Sequence, residues 1–175
     1  VCSSDLLKSQ IQIFKQDSTF QNTKTTIDLG YIINHNTRIY LGYQSTESSD
    51  IQNTNNNSIS DYKNSYTNTS FKYSKLDSNN IFFNIKSNIE FVFGLGSRTT
   101  KNLPGTARTS KQFQIKLDAM YNFYLNKKNY INIKTQNYFL ESNTYITNEL
   151  YRFGGINSIR GFEENSLEAQ YFSSI

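Results

Sequence analysis

The chain of 175 residues has one cysteine, one histidine and no tryptophan. One thiol and one imidazole cannot assemble a zinc site or a Cys/His dyad. No run approaches 18 apolar residues, which excludes a helical membrane span. Charged residues are scarce at 18% and hydrophobic ones at 36%, so uncharged polar residues fill the gap, 23 asparagines among them. The net charge of +4 is scattered, with no run of five lysines or arginines. That pattern suits solvated or lumen-facing side chains better than a phosphate-binding patch, and no nucleic-acid partner is expected. Paired carboxylates, a nucleophile elbow and a phosphate cradle are all missing. No catalytic residue, cofactor or metal site is therefore assigned, and the chain is not read as an enzyme.

What is abundant points elsewhere. The 13 tyrosines and 13 phenylalanines, with many β-branched residues, argue against disorder, because disordered segments are poor in both. Mean hydropathy is −0.63. A membrane β-barrel tolerates such a value, since its strands hide their apolar half by alternation.

Alternation is what the residues show. Over 81–96 one face reads Ile81, Phe83, Ile85, Ser87, Ile89, Phe91, Phe93, Leu95, while Lys86 and Glu90 fall on the other with Gly94 and Gly96. Over 112–125, Phe113, Ile115, Leu117, Ala119, Tyr121, Phe123 and Leu125 share a face, and Lys116 and Asp118 lie opposite. A helical period would mix these sets, so both segments are strands. Shorter strands follow the same rule around Ile11 and Ile13, over 26–33, 38–44, 67–76 and, more weakly, 130–140. Tight turns of Asn and Asp are expected at 34–37, 77–80 and 126–129. Longer links are expected at 17–23, 45–63, 97–110 and 143–167, so that short and long connections alternate. A transmembrane barrel connects its strands this way. A soluble sandwich also alternates, but strands of 12 to 16 residues and charged inner positions (Lys86, Glu90, Lys116, Asp118) suit a barrel with a wet lumen.

One segment breaks the rhythm. In 148–162, Phe153-Gly154-Gly155 permits a tight reversal and Ile159-Arg160-Gly161-Phe162 presents one cation beside a small residue. From the residues alone this is either a glycine-shaped loop aiming its arginine at another surface, or an exposed outer loop whose arginine touches nothing. The smaller signals are bland. Gly94-Leu95-Gly96 precedes no helix and is no nucleotide loop. His35 is a turn residue, 53–60 is a low-complexity outer loop, and Asn56-Asn57-Ser58 and Asn68-Thr69-Ser70 are incidental matches to the glycosylation pattern.

The stretch 148–162 resembles the hallmark loop of the outer-membrane assembly barrel superfamily, the BamA- and TamA-like surface antigens. The match covers those fifteen positions; elsewhere the agreement is in strand rhythm. The resemblance implies a sixteen-stranded outer-membrane barrel whose sixth outer loop, here 143–167, folds into the lumen. It implies that Arg160 is the lumenal anchor, that Gly161 permits close packing and that Phe162 wedges against the inner wall. An acidic partner for Arg160 is expected beyond Ile175, with Glu90 or Asp118 as weaker choices. Implied partners are outer-membrane lipid, client outer-membrane or secreted proteins, and periplasmic POTRA repeats preceding the barrel. The implied function is insertion or translocation of other proteins at the bacterial outer membrane. The alternatives are a two-partner-secretion type transporter of one client, a passive porin, and a soluble adhesive β-domain.

Residues 1–6, Val1-Cys2-Ser3-Ser4-Asp5-Leu6, read like a translated sequencing adapter and are set aside. The expectation for 7–175 is a partial barrel of about seven to eight strands, all antiparallel, forming an open curved sheet.

Overall fold

The structure, a computed structural model, describes residues 7–16, 20–51, 61–76, 85–102, 106–126, 129–156 and 159–175. The adapter-like segment, the low-complexity stretch 53–60, the turn at 77–80 and residues 81–84 lie outside these.

Seven long strands follow one another: β1 (Leu7–Gln16), β2 (Phe20–Asn34), β3 (Thr37–Asp50), β4 (Tyr62–Leu76), β5 (Ile85–Asn102), β6 (Thr106–Tyr124) and β7 (Tyr130–Ser142). After a long excursion, β10 (Tyr171–Ser174) returns to pair with β7. The result is an all-β, eight-stranded antiparallel sheet in the order β1-β2-β3-β4-β5-β6-β7-β10, open at both edges. Among the described residues no helix is long and apolar enough to cross a membrane. Asparagine closes the two turns that can be described. Asn36 N donates to Asn34 Oδ1 at 3.0 Å, and Asn129 N donates to Asn126 Oδ1 at 2.9 Å, each side chain standing in for a backbone acceptor.

Two links expected to be long, 17–23 and 97–110, are mostly strand: β2 starts at Phe20, and β5 continues to Asn102 with β6 resuming at Thr106. The link expected at 45–63 is shorter, because β3 continues to Asp50 and β4 starts at Tyr62. Connections therefore do not alternate in length. Ser, Thr and Asn over these stretches hide the strand period, because both faces are polar there. Backbone pairing nevertheless runs on unbroken from Ser45↔Ser65 and Ser97↔Lys111.

The sheet is inside out by the standard of a soluble domain. Ile27, Leu29, Leu41, Tyr43, Phe91, Phe93, Leu95, Phe123 and Ile131 are exposed, while Gln44, Ser48, Asn64, Asn68, Gln112, Gln114 and Asn122 are buried. The register gives this outer face a sharp border. A row of paired residues, Thr25–Ser45–Ser65–Ser97–Lys111, crosses five strands and is wholly polar. The next row on the loop side, Thr23–Glu47–Lys63–Thr99–Thr109, is polar too. Four residues the other way, Leu29–Leu41–Thr69–Phe93–Ile115–Phe139–Tyr171 is apolar apart from one threonine.

The polar face lines a strongly curved concavity. Strands β1 and β7 would stand about 29 Å apart in a flat sheet, at about 4.8 Å per strand. Yet Gln12 and Phe14 of β1 line the same cavity as Leu140 of β7. Glycine shapes the concave wall. Tyr66 Oη donates to Gln112 Oε1 at 2.6 Å and Gln114 Nε2 to Asn68 Oδ1 at 3.0 Å, both from β4 to β6 across β5. The residues they pass over are Gly96 and Gly94, where a Cβ would come within 2.6 Å of the Tyr66 ring and 2.2 Å of Asn68 Oδ1. That is the role of the Gly-Leu-Gly motif.

Candidate functional site: the inward loop

Between Ser142 and Tyr171 the chain turns onto the concave face. A 3-10 turn (Thr147–Glu149) leads into β8 (Tyr151–Phe153), which pairs antiparallel with β9 (Leu167–Ala169). Gly154 and Gly155 follow with φ of 117° and 89°, conformations that side chains rarely adopt. A Cβ on Gly154 would stand 2.4 Å from Glu163 O. Gly155 N donates to Phe162 O at 3.1 Å, closing the hairpin end on itself.

The first half of the loop is fastened to five strands. Asn148, 1% exposed, is the central pin. Its carbonyl accepts from Asn22 Nδ2 of β2 at 2.9 Å and from Tyr62 Oη of β4 at 3.2 Å, and its own Nδ2 donates to Ser48 Oγ of β3 at 2.7 Å. The next residue, Glu149, forms an ion pair with Arg98 of β5 and accepts from Gln112 Nε2 of β6. The Arg98 and Glu149 side chains are 3% and 2% exposed. Arg98 Nη2 also donates to Thr144 Oγ1 at 2.6 Å. Burial pushes the Glu149 carboxyl above its ordinary range, with Arg98, Gln112 and a backbone N–H pulling it back. Desolvation is the larger effect because the pair lies out of contact with water.

Farther along, the Tyr151 ring packs on Tyr138 at 5.5 Å and lies 5.4 Å beneath the Lys116 ammonium. The Arg152 guanidinium sits 4.9 Å over the Phe20 ring of β2 and pairs with Glu168 of β9. Phe153 stacks on Phe172 of β10 at 4.6 Å.

The residues singled out in the sequence divide sharply. Phe153, Gly154 and Gly155 belong to the docked part. Ile159 is half-buried, whereas Arg160, Gly161 and Phe162 are exposed. Arg160 meets no ion-pair partner among the described residues. Gly161 has a φ of 96° with open space where a Cβ would lie, so conformation, not close packing, calls for glycine there. Phe162 is 51% exposed, and no wedge against these eight strands forms. On the wall, Glu90 pairs with Lys72 at 3.5 Å, and Asp118 accepts from Gln136 and Tyr138, both at 2.9 Å. Neither reaches Arg160. Lys86 is half-buried, and among the described residues only Lys116 of the four wall charges touches the loop.

Arg98, Asn148 and Glu149 were not singled out from the sequence. Arg98 has the parity of Lys86, Glu90, Gly94 and Gly96, so extending that face by one residue pair finds it. The expectation of a loop from Ser97 onward hid it. No family model, curated protein or solved structure matches the chain.

Proposed function

We propose that these strands are part of a transmembrane β-barrel of the bacterial outer membrane, of the BamA- and TamA-like assembly type, that inserts or translocates client proteins. The observation that carries this reading is the inversion of faces combined with a loop folded onto the polar one. A contiguous apolar surface of this extent is unusual on a soluble monomer and calls for a lipid cover. On β5 the outward residues are apolar from Ile85 to Leu95, Ser87 excepted. At about 3.3 Å per residue and a tilt of about 45°, that stretch rises about 25 Å, the height of a barrel's apolar band. In lipid an open edge leaves backbone groups unpaired, so both edges call for further strands.

Within this reading the loop is a brace. It ties β2 through β6 together across the lumen and presents Ile159-Arg160-Gly161-Phe162 at its free end. Barrel stability then depends on the brace, and client insertion depends on the displayed segment. The cargo is moved by strand pairing and steering, without nucleotide hydrolysis or covalent chemistry.

The test is reconstitution of the full-length protein in liposomes. Heat-modifiable gel mobility and outer-membrane fractionation are expected, with insertion of an unfolded barrel client that falls at least fivefold in Arg160→Ala. Steady ion conductance with no client insertion would assign a passive channel instead. A water-soluble monomer would remove the barrel reading altogether.

A further inference from the structure

The loop leaves a cavity of about 280 Å³ between itself and the wall. Lys24 of β2 and Lys116 of β6 both line it. Among the described residues neither forms an ion pair. The acids that attract them, Asp28 and Asp118, lie farther along the same strands, and Asp118 is already held by Gln136 and Tyr138. The cavity's other charged groups are matched: Glu149 by Arg98, and Arg152 by Glu168. Two basic side chains thus line one partly desolvated space with no counter-charge in contact, an arrangement that an anion would relieve.

A second observation narrows the anion. Asn64, 6% exposed, also lines the cavity, and its Oδ1 has no hydrogen-bond partner. A buried acceptor of this kind calls for a donor. The tyrosine hydroxyls nearby are already spent, Tyr62 on the Asn148 carbonyl and Tyr66 on Gln112. We propose that this cavity is a binding site for a small oxyanion that carries an O–H donor, hydrogen phosphate being the simplest member. Lys24 and Lys116 share its charge, and its hydroxyl donates to Asn64 Oδ1. The Tyr151 ring forms one side of the site, so an occupied site links the loop to β2 and β6 through the ligand.

The inference stands apart from client insertion and needs only the docked loop. Its test is calorimetric titration of the full chain in detergent with sodium phosphate and, separately, sodium sulfate, at constant ionic strength near neutral pH. Sulfate matches the charge and lacks the donor. Saturable binding at one site is expected, at least fivefold tighter for phosphate than for sulfate. Lys24→Gln and Lys116→Gln each weaken phosphate at least tenfold. Asn64→Leu removes the preference for phosphate and keeps sulfate binding. Lys24→Glu abolishes binding and leaves near-ultraviolet circular dichroism unchanged, because the new carboxylate supplies the counter-charge for Lys116. The proposal is overturned if the unmodified chain gives no saturable heat, or if either glutamine variant binds phosphate as the unmodified chain does.

Discussion

The two halves of the inward loop are built on opposite principles. Over 147–153 the chain is pinned by hydrogen bonds and an ion pair to β2, β3, β4, β5 and β6, and the pinning residues are buried. Over 160–164 the backbone closes on itself through Gly155 and Phe162, and the side chains stand in the open. The first half is therefore held by the sheet and the second is displayed by the first. A loop that braces a wall and presents a motif has to separate the two tasks, since a buried arginine could not also meet a partner.

The sharpest way to break this division is Arg98→Ala, which strands the Glu149 carboxylate in a dry site. Losing one partner of a buried pair costs about 3 kcal/mol or more. Loop release at pH 7 is expected, read as protease cleavage within 143–153 and faster amide exchange there, with strands β3 to β6 still protected. Asn148→Ala comes next. Its carbonyl still accepts from Asn22 and Tyr62, but Ser48 loses its donor, at about 1–2 kcal/mol by chemical denaturation.

Glu149→Gln isolates the pH dependence of docking. The carboxyl is raised above its ordinary 4.5 on docking, so docking takes up protons. Its contribution is complete below 4.5 and is lost as the pH rises through the docked value. Amide exchange should therefore show tighter docking at pH 5 than at pH 7 in the unmodified chain. That slope should vanish in Glu149→Gln. The smallest effect belongs to Arg160→Ala, which should change the docking of the first half by less than about 0.5 kcal/mol, as an exposed substitution does. A change as large as that of Arg98→Ala would mean that the two halves are one unit.

How much of this could be read beforehand follows from which signals are local. The strands announce themselves because Phe, Ile, Leu and Tyr recur every second residue, and the Asn turns because asparagine caps its own reversal. Gly154-Gly155 marked the bend for the same reason. The continuation of β5 past Gly96 was not legible, because Ser97, Arg98, Thr99 and Thr100 put polar side chains on both faces. Arg98 and Glu149 lie 51 positions apart, and nothing in either neighbourhood signals the other. Arg160 stood out as a cation framed by an aliphatic residue and a glycine, and among the described residues the cation that is buried and paired with the loop is Arg98.

The amino-acid sequence by itself determined the strands, their inner and outer faces and the place where the rhythm breaks, because a period of two is written residue by residue. Only the tertiary structure decided which carboxylate meets which guanidinium, where a cavity opens and which half of the loop stays outside. Those outcomes depend on the curvature of the sheet, which brings Phe14 of β1, Lys116 of β6 and Leu140 of β7 around one space. Curvature is the sum of small twists over many strands, and no short stretch of sequence carries it.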